Sequence, residues 1–407
     1  MMTSTAIYTL TSPLHDPAVV EKATEAFLGQ LGTDLTVRGD DFSDYGQWPL
    51  SIIFVRTGGT EGLFRRQLRQ LKGKSPHPFY LLASGESNSL AASMEILSFL
   101  RQEGLEGEIL HGSSERLRQR ITLLSKVAEA RRSLAGTHMG LIGSPSSWLI
   151  ASDFSCVAIE EQLGITISDI PLAELVETIK ETPMPAPELT SPQEVVAKAL
   201  PQAWQIYLAL KSLVESHHLQ GLTLECFGLL NLLHNTGCLA LAKLNAEGVV
   251  AACEGDVPAM LTMAVAQALT GCTGFQANPS SIDADTGEVI FAHCTIPLNM
   301  VRNYELDTHF ESGEGVGIRG MVDEGPVTIF KVSGNLTRYV AVEGEMVGNL
   351  HRPTLCRTQL RLRLSDKSAV DYFLTDPIGN HHIILPGRHK ALIDEMMKGC
   401  LRANRAI

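Results

Sequence analysis

The segment VVAACEGDVPAMLTMAVAQALTG, residues 249–271, predicts the unit from which the fold is built. Residues 249–253 are a short apolar run, typical of a buried strand, and the run ends at Glu254-Gly255-Asp256. Asp256 is suited to cap a helix and Pro258 fits a first helical turn, which predicts a helix over 257–270. A strand followed directly by a helix is the repeating unit of a parallel sheet covered by helices.

The same alternation extends outward from this segment in both directions. It runs through residues 1–135, starts again at 138–143 and continues to about residue 300. The predicted strands are 51–55, 79–83, 221–226 and 288–294, and the predicted helices are 17–30, 62–72, 89–103, 114–134, 228–243 and a long one that ends near residue 218. These patterns indicate two successive α/β domains.

The pattern changes after about residue 300. Residues 315–363 contain alternating strand patterns divided by Gly, Pro and Asn, and a helix over 389–403 closes the chain. The predicted fold class is therefore α/β, with two doubly wound parallel-sheet domains followed by a mostly antiparallel, barrel-like β domain. The predicted boundaries are 1–135, 136–300, which carries Glu254, and 301–407.

Composition excludes several classes of function. The net charge is −12 and no Lys/Arg run occurs, so neither nucleic acid nor a membrane surface is expected as a partner. No segment approaches the ~20 apolar residues of a membrane span, and the N-terminus lacks a signal-peptide pattern. A cytoplasmic location is expected. The eight cysteines are scattered without a CxxC pair and are expected to be buried free thiols.

Polar groups that follow strands mark candidate sites. Ligands of open α/β sheets bind at the carboxyl ends of strands. Glu254-Gly255-Asp256 and His293-Cys294 each follow a predicted strand, and Gly379-Asn380-His381-His382 precedes an apolar run. Carboxylate with imidazole and without thiolate is a donor set for Mn²⁺, Mg²⁺ or Co²⁺. The sequence thus indicates a divalent-cation site.

Each of these residues also has a purely structural interpretation. Asp256 alone would serve as a helix cap. His293 would fit a core histidine, and His381-His382 would fit a surface loop. Glu225, at the end of the predicted strand 221–226, either lines a pocket or starts a helix.

Three segments in this region resemble the catalytic core of a known family. They are 251–257 (AACEGDV), 275–278 (FQAN) and 291–294 (FAHC). In this order they resemble the L-fucose/L-arabinose isomerase family, and in particular its shorter, fucose-isomerase-like branch. Further similar segments are 57–61 (TGGTE), 88–92 (NSLAA), 140–143 (GLIG), 325–329 (GPVTI) and 379–382 (GNHH), so the resemblance spans nearly the whole chain.

The resemblance implies a metal centre. In that family two acids and one or two histidines bind a divalent cation, usually Mn²⁺, and the acids move a proton through a cis-enediol. Glu254 matches the first acid and His293 matches a histidine of the arabinose enzymes. His381 or His382 matches the C-terminal ligand, and the resemblance favours His382.

The second acid of the family falls at Asn278. An amide can offer an oxygen to a metal or a substrate but cannot take a proton. Asp256 is therefore expected to act as the second catalytic carboxylate beside Glu254.

The resemblance also implies an oligomeric site. By this resemblance, Gly59, Thr60 and Glu61 of one protomer are expected to cover the site of its neighbour. Glu225 is expected to contact the substrate because of its own position at the end of a strand, apart from the resemblance. A homo-oligomer, a trimer or hexamer, follows by resemblance only.

The predicted function is metal-dependent aldose–ketose isomerisation of a small monosaccharide or modified sugar. Two alternatives stay open at this point. One is a sugar-binding or regulatory protein that has lost isomerase activity, since Asn278 replaces an acid. The other is an epimerase or lyase on the same scaffold.

Overall fold

The chain alternates strands and helices up to residue 271 and is mainly β-sheet from residue 275 onward. The computed structural model describes residues 5–32, 35–74, 78–186 and 189–406; residues 1–4 and 407, at the ends of the predicted domains, lie outside the described part. Contacts divide the chain into two units, Met1–Arg132 and Ser133–Ile407.

The first unit is built on a five-stranded parallel sheet of order β2-β1-β3-β4-β5. Its elements are β1 (Thr5–Leu10), α1 (Pro17–Leu31), β2 (Leu35–Gly39), β3 (Leu50–Val55), α2 (Glu61–Leu71), β4 (Phe79–Ala83), α3 (Ser89–Gln102), β5 (Gly107–Leu110) and α4 (Ser114–Leu134). Strands β1, β3 and β4 are buried along their whole length, as expected for parallel strands covered on both faces.

The second unit begins with a four-stranded parallel sheet of order β7-β6-β8-β9. Its elements are β6 (His138–Ile142), α5 (Cys156–Leu163), β7 (Thr166–Ile170), α6 (Leu172–Glu181), α7 (Glu194–Ser216), β8 (Gly221–Leu224), α8 (Cys226–Leu233), α9 (Cys238–Ala246), β9 (Val250–Cys253) and α10 (Val257–Thr270). Strands β8 and β9 are neighbours and parallel, so their carboxyl ends, followed by Glu225 and Glu254, lie at the same sheet edge.

A closed antiparallel barrel completes the second unit. Its six strands run in the order β14-β17-β10-β11-β16-β15, and β14 pairs with β15 to close it. The remaining elements are β10 (Phe275–Asp283), β11 (Glu288–His293), β12 (Asn303–Asp307), β13 (Gly317–Met321), β14 (Gly325–Val332), β15 (Arg338–Asn349), β16 (Thr358–Leu364), α11 (Val370–Thr375), β17 (His382–Pro386), α12 (Lys390–Asp394) and β18 (Asn404–Arg405).

The mixed α/β character and the antiparallel barrel predicted from the sequence are confirmed. The doubly wound arrangement of the two parallel sheets and the boundaries at residues 135 and 300 stay predictions. Strands β10 and β11, which precede residue 300, are part of the barrel. Within the described residues, no helix combines the length and the apolar character needed to cross a bilayer.

Two predicted helices differ from the structure. The helix expected over 228–243 is split into α8 and α9, because His234 adopts a left-handed conformation at φ +51°. A side chain at Gly237 would lie 2.6 Å from the Leu224 side chain, so glycine permits the close approach there. The closing helix ends as α at Asp394 and continues as a π-helical turn, Glu395–Cys400.

Candidate metal centre

Glu254 stands at the carboxyl end of β9 in a strained backbone conformation. Its φ is +66°, a left-handed value that costs a non-glycine residue free energy and is common at functional sites. The following Gly255 is also left-handed, and a Cβ there would lie 2.5 Å from the Ser144 carbonyl oxygen. The Glu254 carbonyl in turn accepts a hydrogen bond from the Ser146 N–H. The turn thus holds the carboxylate in a fixed direction.

Two histidines of the barrel face this carboxylate. His293 ends β11 and its Nε2 lies 3.7 Å from Glu254 Oε1, while His381 immediately precedes β17 and its Nε2 lies 3.5 Å from the same oxygen. The centroids of the two imidazole rings are 5.5 Å apart, and the planes of the rings are inclined at 74°. One candidate ligand atom from each of the three residues lies within 4.8 Å of the others. The structure therefore brings together three of the candidate metal ligands that the sequence proposed, each from a separate segment of the chain.

The donor atoms of this group fit a divalent cation. His293 is oriented by contact between its Nδ1 and Thr295 Oγ1, at 2.9 Å, which leaves Nε2 directed at Glu254. The Nε2 of His381 is buried and makes no well-formed hydrogen bond within the described residues, since Glu254 Oε1 lies 3.5 Å away. A buried polar nitrogen without a partner is costly, and a metal ion would satisfy it. Two imidazoles and one carboxylate suit Mn²⁺, Fe²⁺ or Co²⁺.

A buried carboxylate orients His381 from behind. Asp256 Oδ2 lies 2.8 Å from His381 Nδ1, and the other carboxylate oxygen accepts the Ala259 N–H at the start of α10. Lys331, on β14, places its Nζ 3.6 Å from Asp256 Oδ2 and is itself 1% exposed. A carboxylate that holds the far nitrogen of a histidine is a recurring support of metal ligands.

The charges of this group are set by their mutual contacts. Burial acts to raise the pKa of Glu254, but contacts with His293 and His381 outweigh it and hold that pKa far below its usual value. Burial also acts to raise the pKa of Asp256, yet Lys331 and His381 lower it to about 2. Burial acts to lower the pKa of His381, whereas Asp256 and Glu254 raise it to about 9. Without a metal, His381 is therefore an imidazolium between two carboxylates, and cation binding would displace its Nε2 proton.

The contacts of His381 and His382 favour His381 as the candidate ligand, whereas the resemblance favours His382. His382 has both ring nitrogens engaged elsewhere: Nδ1 contacts the Asn380 carbonyl oxygen at 2.9 Å, and Nε2 contacts the Tyr372 hydroxyl at 2.9 Å. That hydroxyl also accepts the Ile378 N–H, so its proton is free for His382 Nε2. Burial lowers the pKa of His382 to about 3. His382 is thus a neutral, hydrogen-bonded core histidine outside the cluster.

Glu254 and His293 line a small cavity of about 50 Å³ that is partly open to solvent. The described residues that line it are Cys226, Phe227, Leu230, Thr236, Cys238, Cys253, Glu254, Asn278, His293, Cys294, His309, Glu311 and Cys356. Trp148 adds a hydrogen bond from its Nε1 to Glu254 Oε2 at 2.7 Å and packs edge-on against Phe227. Two of the candidate metal ligands, Glu254 and His293, therefore face a small cavity with room for a few water molecules.

Of the other proposed site residues in the second unit, Asn278 lines the cavity, whereas Asp256 and Glu225 do not. Asn278 lines the cavity from β10 and its Oδ1 accepts a hydrogen bond from Asn380 Nδ2 at 2.9 Å. Asp256 is 0% exposed and is not among the lining residues, so its position is that of a support for His381. Glu225 accepts the Ser144 N–H at 2.7 Å and packs against Gly143 and Gly228, which is a structural role at the start of α8.

Gly59, Thr60 and Glu61 belong to the first unit. Gly59 is left-handed at φ +75°, Thr60 donates from Oγ1 to the Thr57 carbonyl oxygen, and Glu61 begins α2. Their expected role over a neighbouring protomer's site stays a prediction.

Several cavity residues were missed at the level of the sequence. His309 and Glu311 come from the polar, glycine-containing loop between β12 and β13, which carries no strand-end signal. The cysteines at 226, 253 and 294 did carry a signal, since each directly follows or precedes a candidate residue.

No known protein-family model matches this chain, and no curated protein matches it. One fold can carry many activities. Function must therefore be inferred from the chemistry of the site itself.

Proposed function

We propose that Glu254, His293 and His381 bind a divalent cation and that the protein interconverts an aldose and a ketose through a cis-enediol. The observation that carries the proposal is the buried group of one carboxylate and two imidazoles beside a small cavity that is partly open to solvent. The similarity of residues 251–257, 275–278 and 291–294 to the L-fucose/L-arabinose isomerase family supports the reaction type and favours Mn²⁺ as the cation.

The cation, when bound, would supply Lewis acidity that polarises the sugar carbonyl and acidifies the adjacent C–H. The chain's own residues would move the proton. Glu254 and Glu311 are the carboxylates among the described lining residues, so one would remove the proton from carbon and the other would return it. Glu311, rather than Asp256, takes the place of the acid missing at Asn278. General acid–base groups of this kind contribute about 10²–10⁴-fold each.

The charges of the residues that line the cavity also limit the class of sugar that it would bind. Neither Lys nor Arg is among the described cavity residues, whereas Glu254 and Glu311 are. Two cationic residues of the C-terminal region are engaged elsewhere: Arg302 is exposed and paired with Asp323, and Lys331 is buried against Asp256. An uncharged sugar is therefore preferred over a phosphorylated or sulfonated one. Asn278 would hydrogen-bond a sugar hydroxyl.

The test is proton–deuterium exchange in D₂O, at C2 of a panel of aldoses and at C1 of the corresponding ketoses, with Mn²⁺ and after chelation. We expect exchange with at least one neutral sugar, lost on chelation and reduced at least 10²-fold in Glu254→Gln, which cannot carry the proton. The matched control is Glu161→Gln, because Glu161 is exposed on α5 of the same unit and its replacement should leave exchange unchanged. Full exchange in folded Glu254→Gln would contradict the assignment.

A second candidate function is sugar binding without chemistry. The amide at Asn278, hydrogen bonded to Asn380, favours it because no proton acceptor stands at that position. Sugar and metal binding without exchange across the panel would support this candidate. Exchange at C2 without ketose formation would instead indicate an epimerase or lyase that shares the enediol.

A further inference from the structure

Five cysteine thiols line the metal-site cavity, and the proposed isomerisation uses none of them. They are Cys226, Cys238, Cys253, Cys294 and Cys356, and all five are free thiols. Cysteine is a common core residue, but five thiols around one small cavity that opens to solvent give that cavity a chemical character of its own.

Two of these thiols are held against each other. Leu224 and Cys253 are register partners on the neighbouring parallel strands β8 and β9, and Cys226 begins α8 two residues after Leu224. This geometry directs the two side chains toward each other, and Cys253 Sγ lies 2.8 Å from Cys226 Sγ. A disulfide has an S–S length of ~2.05 Å. Bond formation therefore requires the two sulfurs to approach each other by less than about 1 Å.

We propose that Cys226 and Cys253 form a reversible disulfide when a small peroxide enters the cavity. One thiol attacks a peroxide oxygen, breaks the O–O bond and becomes a sulfenic acid with release of water. The second thiol then attacks the sulfenic sulfur, forms the S–S bond and releases a second water. The two thiols lose two electrons in total, and hydrogen peroxide is reduced to two waters.

The cross-link would join the start of α8 to the end of β9, beside Glu254. Both cysteines are nearly buried, at 7% and 4% exposure, and both reach solvent through the cavity that they line. A small oxidant can therefore reach them, whereas a large disulfide-exchange protein cannot approach them directly. Hydrogen peroxide is accordingly the oxidant used in the test.

The experiment maps cysteine oxidation in the full chain and needs neither metal nor sugar, so its outcome is independent of the proposed isomerase activity. Reduced protein is treated with increasing hydrogen peroxide, acid-quenched, alkylated in denaturant, digested and analysed by mass spectrometry. We expect a linked pair of peptides containing Cys226 and Cys253, which dithiothreitol separates. The link should be absent from Cys226→Ser and present in the matched variant Cys238→Ser, which removes another thiol of the same cavity.

Other outcomes would overturn the proposal. Exposed Cys156 serves as an internal reference for oxidant dose; if it is oxidised while Cys226 and Cys253 both remain alkylated, no reactive pair exists. Sulfinic acid at either position without a linked peptide, or a link confined to Cys294 and Cys356, would have the same meaning. If Cys226→Ser does not fold, the protein without substitutions still tests the proposal. Its peroxide-treated form should give the linked peptides, and dithiothreitol should separate them.

Discussion

Asp256 orients a candidate metal ligand, His381, without belonging to the candidate ligand group itself. Its carboxylate lies against His381 on one side and Lys331 on the other, at full burial. Replacing it alone would leave Lys331 as an uncompensated buried charge, which costs about 3–5 kcal/mol. The informative change therefore replaces both charges.

We expect the double variant Asp256→Asn/Lys331→Met to fold and to bind Mn²⁺ about 10–100-fold more weakly, the usual effect of losing such a support. Asparagine still caps α10 through its amide oxygen, so loss of the cap does not explain the change. The measurement is titration calorimetry, with Lys331→Met as the control that keeps the Asp256–His381 contact. Equal affinities of the two variants would show that Asp256 does not orient His381.

Trp148 offers an optical report on the same carboxylate. Its indole N–H donates to Glu254 Oε2 at 2.7 Å, and the side chain is about half exposed. A cation bound at Glu254 alters the charge beside the indole, and Mn²⁺ is paramagnetic, so we expect metal addition to lower tryptophan fluorescence. The change should vanish in Trp148→Phe and persist in Trp48→Phe, whose indole lies in the first unit. A full response in Trp148→Phe would place the metal elsewhere.

The sequence predicts the role of a site residue where that role depends on neighbouring positions in the chain. It does not predict the role where contacts with distant segments decide it. Glu254 and His293 each follow a predicted strand, and that position was enough to propose them as ligands. His381 and His382 cannot be distinguished by position, because the choice depends on the Tyr372 hydroxyl and on Asp256. The roles of Lys331 and Glu311 depend on where distant strands place them, and no local pattern records this.

The hairpin of β12 and β13 fixes the loop that carries His309 and Glu311. Asp307, at the base of the hairpin, forms a salt bridge with Arg319 of the opposite strand. Its Oδ2 also lies 3.5 Å from the Nε of Arg357, and this Nε donates a hydrogen bond to the Thr308 carbonyl oxygen. Burial acts to raise the pKa of Asp307, but these arginines and the Thr308 N–H lower it below its ordinary 3.8. The depressed pKa means that the charged carboxylate stabilises the folded state.

We expect Asp307→Asn to lower the free energy of unfolding by about 2 kcal/mol at pH 7, since it removes hydrogen bonds to a charged group. The pKa is lower in the folded state, so this stabilisation is complete above about pH 4 and is lost as the pH falls further. Urea denaturation at pH 7 and near pH 3 measures both values. Asp323→Asn, which breaks an exposed pair with Arg302, is the control, because exposed pairs contribute about 0–1 kcal/mol. An undiminished difference near pH 3 would contradict the electrostatic explanation.

Elements with strong local signals were predicted closely, and elements defined by long-range pairing were not. The strand and helix expected over 249–253 and 257–270 correspond to β9 and α10. The break between α8 and α9 was missed, because the left-handed His234 does not follow from helical periodicity. The pairing of β10 with β17 joins Phe275 to Ile384 and cannot be inferred from either strand alone.

Among the described residues, each of the two units has buried hydrophobic clusters of its own. Among the described residues, the buried clusters of the first unit span Ala6 to Ala128, whereas the large cluster of the second unit starts at Ile142. All three proposed ligands belong to the second unit. A core confined to one unit is what independent folding requires.

We therefore expect residues 133–407, produced alone, to fold and to bind Mn²⁺ with the affinity of the full chain. Circular dichroism would establish folding and calorimetry would measure binding, with residues 1–132 as the non-binding comparison. A folded fragment without metal affinity would show that the first unit contributes to the centre.

The closure of the barrel has a consequence for the order in which the protein forms. The hairpin of β14 and β15 joins strands that are close in sequence, whereas β17 must find β10 across more than a hundred residues. Loop-closure entropy makes such distant pairings slow. His381 lies one residue before β17, and Glu254 lies on the sheet that precedes β10. We therefore expect the candidate metal centre to assemble in the last steps of folding, so that a nascent or partly refolded chain has secondary structure well before it can hold a cation.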